Sequence, residues 1–317
     1  EYLEEFNRDV FSHYDCMTLA EAPMIKPKKA LKYIDEGNKP VLDMMIQFDT
    51  QEADCLFMDF NHLPFNLRKL KRAYTNWQKG LEGRGWNMLY IENHDHPRII
   101  SRYGNEKYWK QSGKTLATAY LFQQGTPFIY QGQEIGMLNW KPEDPEMYED
   151  VQTRYQYAHK NLRKSPKKRL QKMWRASRDS ARTPVQWDAS ENAGFTPSDP
   201  WFFVNPNYKK INVAQQEKDP NSILNFYKKA IRLRKTLPVV RFGSYQEHFP
   251  KNSKVYTYSR RMPGQKLLVV CSFSDKPAKF KLPNGFDLMG SRLILTNYPA
   301  QEKLLQPYEC RVYYWKS

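Results

Sequence analysis

The 317-residue sequence predicts an α/β fold, half of a (β/α)8 TIM barrel followed by a small antiparallel β-sandwich domain. Over the first two thirds, short apolar runs alternate with longer helical patterns, as in βα units built on a parallel sheet. Four such units are countable, and a parallel sheet with helices on one face needs its other face covered too. A ring of eight units supplies that cover, so four units read as half of one. Beyond residue 238 the helical period gives way to short strands, which marks a second region.

Residues 1–14 read as the end of a helix and 16–20 as the first strand. A helix follows over 27–35, with Pro27 suited to its first turn. The next strand spans 41–48, and the helix after it, 67–81, has apolar positions at helical spacing. A third strand at 86–91, a helix at 107–123 and a fourth strand at 127–130 continue the alternation. The polar, Lys/Arg-rich stretch 138–220 is too long for an ordinary connection and is expected to be functional or partly helical. A helix over 222–236 ends before Pro238, a stop signal. Strands at 255–260, 266–273, 291–296 and 310–315, with turn residues between them, make up the expected sandwich.

Hydrophobic residues make up 40% and aromatic residues 15%, the composition of a globular chain rather than a disordered one. No apolar run approaches the ~18 residues of a membrane helix, and no basic-then-apolar leader opens the sequence. The chain starts without Met inside a helical pattern, so its N-terminus reads as a cut. Cys16, Cys55, Cys271 and Cys310 lack metal-ligand spacing, and neither a metal nor another cofactor is expected. So few cysteines fit free thiols in a reducing compartment, and the cytoplasm is the expected location.

The formal charge of +16 raises a nucleic-acid partner. Its densest run is Arg163, Lys164, Lys167, Lys168, Arg169, Lys172, Arg175 and Arg178. Those positions cover more than one face of a helix and follow no groove-reading motif, so a solvated helix face is the plainer reading. Neither nucleic acid nor a membrane is an expected partner.

Three of the four predicted barrel strands run into polar groups: Glu21 after the first, Glu92, Asn93, His94 and Asp95 after the third, and Gln131, Gln133 and Glu134 after the fourth. The carboxyl ends of barrel strands carry active sites. A lone Glu after a strand is often just the start of a loop, a lone His is more often a core histidine, and Glu134 is placed to cap a backbone amide. Acids recurring at several strand ends are what these plainer readings leave unexplained, and they point to one acidic pocket.

Asn93-His94-Asp95-His96-Pro97-Arg98, followed by Ser101-Arg102-Tyr103-Gly104, resembles the Asn-His-Asp-x-Pro-Arg signature of the α-amylase superfamily, glycoside hydrolase family 13. The form is most similar to its oligo-1,6-glucosidase and dextran glucosidase group. Gly125–Met137 resembles that group's last barrel strand, Ala181-Arg182-Thr183-Pro184-Val185-Gln186-Trp187 and Val204-Asn205-Pro206-Asn207-Tyr208 two further motifs, and Met17–Pro23 the strand bearing the general acid. The motifs occur in order over nearly the whole chain. The resemblance therefore implies the C-terminal half of the catalytic barrel over residues 1–237, with the 138–220 insertion, and a C-terminal β domain over 238–317.

The family is retaining, which implies two catalytic carboxyl groups about 5–5.5 Å apart across the scissile bond. By resemblance Glu21 is the general acid/base and Asp95 the third family carboxylate, which accepts hydrogen bonds from sugar hydroxyls. His94 and Arg182 are implied to bind the same sugar, and Arg98 and Arg102 to sit at the pocket rim. The family nucleophile, an Asp two residues after an Arg on the strand before Glu21, has no counterpart here, since Asp43 and Asp49 lie on the following strand. The expected partners are a small oligosaccharide and the remaining half of the barrel, and the chain alone is expected to be inactive.

Four departures blur linkage preference: Ala20 in place of Gly, His96 in place of Gln, the extra carboxylate of Glu92, and a shortened segment at 53–64. Trehalose-6-phosphate hydrolases and sucrose isomerases share most of the motifs. A non-catalytic glucosidase-like subunit of an amino-acid transporter is the alternative of a different class. The joint presence of Glu21, Asp95, His94 and Arg182 favours an enzyme, because a scaffold needs no matched set of pocket groups.

Overall fold

The computed structural model describes residues 1–38, 40–55, 63–299 and 303–316. Helix α1 (Tyr2–Asp9) opens the chain and strand β1 (Leu19–Glu21) follows. Helix α2 (Pro27–Ile34), with Pro27 in its first turn, leads to β2 (Met44–Ile46). Helix α3 (Leu67–Leu81) is capped by the Asn66 side chain, which accepts from the amides of Arg68 and Lys69, and leads to β3 (Met88–Leu89). Helices α4 (Ile99–Tyr103) and α5 (Trp109–Leu121) separate β3 from β4 (Thr126–Pro127). The shortened segment at 53–64 falls mostly outside the described residues.

β1 pairs in parallel with β2, and β3 with β4. The Tyr90 hydroxyl joins the two pairs by donating to the Gln47 carbonyl at 2.6 Å. Met44, Met88 and Tyr90 pack with Leu19, Ile46 and Phe128 on one face of the four strands. On the opposite face Met45 packs with Leu31, Ile34, Trp77 and Leu81 of α2 and α3, and Leu89 and Ile91 join the core formed with α3 and α5. The ladders are shorter than the apolar runs that predict them: the last residues of the second, third and fourth runs leave the sheet, whereas the first run loses its opening residues and pairs as far as Glu21. Gly125 sets the β3–β4 approach: its φ is +135°, and a Cβ there would lie 2.2 Å from the Asn87 carbonyl oxygen.

The 138–220 stretch is partly helical on its own, as expected. It contains α6 (Val151–His159), α7 (Pro166–Ala176), α8 (Asp179–Arg182) and α9 (Val213–Lys218), with a small core of Trp140, Tyr148, Leu170 and Met173. Helix α10 (Ile223–Thr236) is N-capped by Ser222. Its buried Arg234 donates to the carbonyls of Leu121 (2.7 Å), Gln123 (2.6 Å) and Gly125, closing the C-terminus of α5. Pro238 does not simply end a helix. It occupies the first turn of α11 (Pro238–Phe242), where its fixed φ is favourable and its missing N–H costs nothing.

Seven strands follow: β5 (Ser244–His248), β6 (Val255–Met262), β7 (Gln265–Ser272), β8 (Ala278–Lys279), β9 (Arg292–Thr296), β10 (Leu304–Leu305) and β11 (Cys310–Lys316). Five form an antiparallel sheet in the order β5-β6-β7-β11-β9, and β8 pairs with β10. Alternation divides the sheet into two faces. Tyr256, Tyr258, Leu267, Val269 and Val312 pack into the core shared with α5 and α10. Val255, Leu268, Val270 and Tyr313 pack under Ala278 and Leu305 of the short pair. The change of topology near 238 therefore crosses one continuous core. Cys271 and Cys310 stand opposite each other on β7 and β11 as free thiols, and burial pushes the Cys310 thiol up to about 12.

Two stability predictions follow from this packing. Arg234→Met leaves three buried carbonyls unpaired and is expected to cost about 3 kcal/mol, read from the urea midpoint at constant slope. His248 lies 2.9 Å from the Ser259 hydroxyl, and burial, with Arg261 adding, holds it down at about 4. It stays neutral in the fold while the unfolded chain takes up a proton near pH 6.5. Stability is therefore expected to fall as pH drops from 6.5 towards 4, and His248→Gln should flatten the urea midpoint across that window.

Candidate active site

The polar groups that follow β1, β3 and β4 converge, because parallel strands send their carboxyl ends to the same side of the sheet. Glu21, the last residue of β1, lines a cleft of about 200 Å3 with Tyr90, Glu92, Asn93, His94 and Tyr130. Its carboxylate makes no ion pair among the described residues. Burial drives the Tyr90 phenol far upward, and the neighbouring charges of Glu21, Asp49 and Asp95 add to the effect.

The loop after β3 is shaped by Asn93. Its side-chain oxygen accepts from the Asp95 amide at 3.1 Å and lies 2.8 Å from His96 Nδ1. This tight turn holds His94 and Asp95 next to each other. His94 Nε2 is 3.3 Å from Asp95 Oδ2. Asp95 Oδ1 accepts from Arg182 Nη2 at 3.3 Å, and Arg182 Nε donates to the His94 carbonyl at 3.1 Å. Of the residues expected at the site, the structure joins His94, Asp95 and Arg182 directly and places Glu21 on the cleft shared with His94.

A second cation on Asp95 was not anticipated. Arg178 Nη1 donates to the same Oδ1 at 3.2 Å, and its Nε donates to Asp150 at 2.7 Å. The sequence reads Arg178 as part of a solvated helix face, whereas it sits just past α7 and points inward. Asp150 caps α6 by accepting from Thr153. Burial alone would raise its carboxyl, but Thr153 and Arg178 hold it below the usual range. Arg178 precedes α8, whose Asp179 accepts from the amides of Glu149 and Asp150. The insertion thus delivers two arginines to one carboxylate. The one sequence signal was that Arg178 and Arg182 stand four residues apart, one helical turn.

Arg98 and Arg102 do not reach the pocket rim. The Arg98 side chain is 0% exposed and pairs with Glu92 at 2.6 Å. It also donates to the carbonyls of Gln131 (2.7 Å), Ser180 (3.2 Å) and Ala181 (3.4 Å). Arg102 is equally internal, bound to both Asp54 oxygens and to the side chain and carbonyl of Gln51. Both guanidinia are buried and hydrogen-bonded to protein groups, and neither lines the cleft that Glu21 lines. Glu92, noted as an extra carboxylate, is the internal partner of Arg98. Burial pushes its carboxyl up, and the guanidinium opposes that. Glu134 is half-buried outside the cleft lining, and burial raises its carboxyl too.

No group of His, Cys, Asp and Glu suited to holding a metal occurs among the described residues. No helix among them is long and apolar enough to cross a membrane.

The α-amylase family model, described as the alpha amylase catalytic domain, matches residues 1–243. The chain is 42% identical over 323 residues to an oligo-1,6-glucosidase of Parageobacillus thermoglucosidasius, covering 99% of this chain and 57% of that protein. It is 40% identical to a trehalose-6-phosphate hydrolase of Bacillus subtilis (strain 168), with the same coverage. Among solved structures it is similar to trehalose-6-phosphate hydrolase of Bacillus licheniformis, with a TM-score of 0.94 and 38% identity over 100% of this chain and 59% of that one. Isomaltulose synthase of Erwinia rhapontici NX5 bound to sucrose gives a TM-score of 0.90 at 32% identity, over 100% and 58%. The chain thus spans under three fifths of the relatives it matches. With its motif residues gathered at the strand ends and the family model matched across the barrel part, the chain belongs to the α-amylase family of glycoside hydrolases, alongside the oligo-1,6-glucosidases.

Proposed function

We propose that these residues form the acid-bearing part of a retaining α-glucosidase that cleaves short gluco-oligosaccharides, with α-1,6 linkages preferred. The observation that carries the proposal is Asp95 held by His94, Arg178 and Arg182 beside the cleft that Glu21 lines. In this reading Glu21 protonates the glycosidic oxygen and later deprotonates the attacking water. Asp95, fixed before substrate arrives, accepts from sugar hydroxyls whose bonds strengthen as positive charge develops on the ring. The attacking carboxylate is assigned to a strand outside these 317 residues. The linkage preference rests on the oligo-1,6-glucosidase relatives.

A second reading, hydrolysis of trehalose 6-phosphate, is supported by the 0.94 TM-score to an enzyme of that name. The basic balance of the chain suits an anionic sugar equally well.

The 317-residue chain alone is expected to release no glucose from isomaltose above the uncatalysed rate; robust turnover abolished by Glu21→Gln would overturn the assignment of the nucleophile elsewhere. When the chain is joined to the part that carries the nucleophile, kcat/KM for isomaltose is expected to exceed that for trehalose 6-phosphate. The reverse order selects the second reading. In either case Glu21→Gln should lower kcat by about 10²–10⁴-fold, and an unchanged kcat removes Glu21 from the acid role.

A further inference from the structure

Five arginines are buried among the described residues, and four of them have their charge met by the fold. Arg98, Arg102 and Arg311 lie 2.6, 2.6 and 2.5 Å from the carboxylates of Glu92, Asp54 and Glu309. Arg234 donates to three main-chain carbonyls at the end of α5. Arg260, on β6, has neither kind of partner. Its side chain is 0% exposed, and Nη1 donates to Gln78 Oε1 at 3.0 Å. Nε and Nη2 have no hydrogen-bond partner among the described residues.

The setting explains why nothing reaches these two groups. Alternation along β6 turns Tyr256, Tyr258 and Arg260 to one face, which packs on α3. Tyr74 of α3 stacks on Tyr256 with ring centroids 5.9 Å apart, and Gln78, one turn on, receives Arg260. The nearby oxygens are engaged elsewhere: the Tyr245 and Tyr256 hydroxyls lie 2.8 Å from each other, and Tyr258 donates to the Thr118 carbonyl at 3.4 Å. Glu82, just past α3, is exposed, and its Oε1 accepts from the Tyr245 amide at 3.3 Å. Burial holds Arg260 down to about 10, opposed by Tyr258 and by Glu82, so the guanidinium stays charged at neutral pH. Positive charge also accumulates around it. Burial holds Arg234 down to about 10 as well, and the charges of Arg260 and Arg241 press the same way. Arg241, on α11, likewise has its Nε without a partner among the described residues.

A buried cation without a counter-charge is costly, and a buried donor without an acceptor adds to the cost. Nε–H and the Nη2–H beside it are parallel, the edge with which a guanidinium grips an anion. A water molecule on that edge accepts hydrogen bonds but brings no charge. An anion accepts from both groups and cancels the charge together. We infer that the Nε–Nη2 fork of Arg260 holds a small monovalent anion of the halide class, inside the junction of β6 with α3. The anion joins the β sheet to a barrel helix, so its binding adds to the stability of the fold. Arg260 and Gln78 do not line the Glu21 cleft, and the inference does not depend on the proposed glucosidase reading.

The test is thermal unfolding of the 317-residue chain, dialysed free of halide, as sodium chloride replaces sodium gluconate at a constant ionic strength of about 0.3 M. Gluconate is too large for a closed site, and charge screening is the same in both salts. The midpoint should rise by a few degrees and climb with the logarithm of chloride concentration, as binding to the folded state alone requires. Sodium bromide should act in the same way. In Arg260→Met, which keeps an unbranched stem and removes the fork, the halide dependence should vanish. Crystals grown in sodium bromide should show an anomalous peak within hydrogen-bond distance of Arg260 Nε and Nη2, a measurement that needs no variant to fold. Equal midpoints in chloride and gluconate overturn the inference, as a neutral water on the fork would give. So does a halide dependence that Arg260→Met retains, or bromide that binds elsewhere and not at Arg260.

Discussion

The arrangement of the site depends on one buried cation. Arg98 lies at the start of α4, and its guanidinium reaches three separate pieces of chain: Glu92 in the loop beyond β3, Gln131 beyond β4, and the carbonyls of Ser180 and Ala181 in α8. Its own amide donates to Asn139, so the backbone is fixed as well as the side chain. Taking a guanidinium and a carboxylate out of water costs several kcal/mol per ion, and only near-complete hydrogen bonding offsets it. Here the carbonyls and the Ile99 amide, which donates to Glu92 at 2.9 Å, supply that bonding. A pair that is stable in only one geometry sets the distance between β3, β4 and α8. Asp95 lies between the two ends of that pair in sequence, and Arg182 belongs to the helix that the pair anchors.

A second layer of charge acts on top of this anchor. Two arginines share one oxygen of Asp95, while His94 lies near the other. Each cation has another tether: Arg178 to Asp150, and Arg182 to the His94 carbonyl. Each guanidinium is thus held at two points, which orients the carboxylate before any ligand arrives. Preorganised charge of this kind lowers the reorganisation required when a transition state forms. The 138–220 insertion therefore has a mechanical role that its polar composition conceals.

Much of the barrel part was legible because its signals are local. Period, caps and prolines place α2, α3, α5 and α10 within two residues of their observed ends, and the apolar runs overlap all four parallel strands, containing β2 and β3 whole. The gathering of acids at strand ends also follows from the sequence, since parallel strands can only point their ends one way. What stayed hidden is non-local. Arg102 reads like a rim residue until Asp54, 48 positions earlier, is seen to bury it. Arg178 reads like one charge in a basic run until the fold brings it to Asp95, 83 positions away. Strand β5 was missed because Ser244-Tyr245-Gln246-Glu247-His248 is mostly polar, and only Tyr245 enters the core. Arginine is the residue where sequence reading fails most easily, because its long stem and fork suit an internal pair and an exposed rim equally.

The two carboxylates assigned to chemistry are treated very differently by this chain. Asp95 has two arginines and the His94 ring beside it and a turn built to hold it, all within residues 93–182. Glu21 ends a three-residue strand paired on one side to β2, with no ion pair among the described residues. Those different settings match the different roles proposed for them. A group that stabilises charge should be rigid and permanently ionised, whereas an acid/base that gives and takes a proton in one cycle must tolerate both states. Surrounding Glu21 with fixed arginines would lock it in one of them. The cleft instead offers it the phenols of Tyr90 and Tyr130 and apolar surface from Ile46, Met88 and Phe128. The division between a clamped carboxylate and an unclamped one is therefore what the proposed double displacement would ask of these two positions.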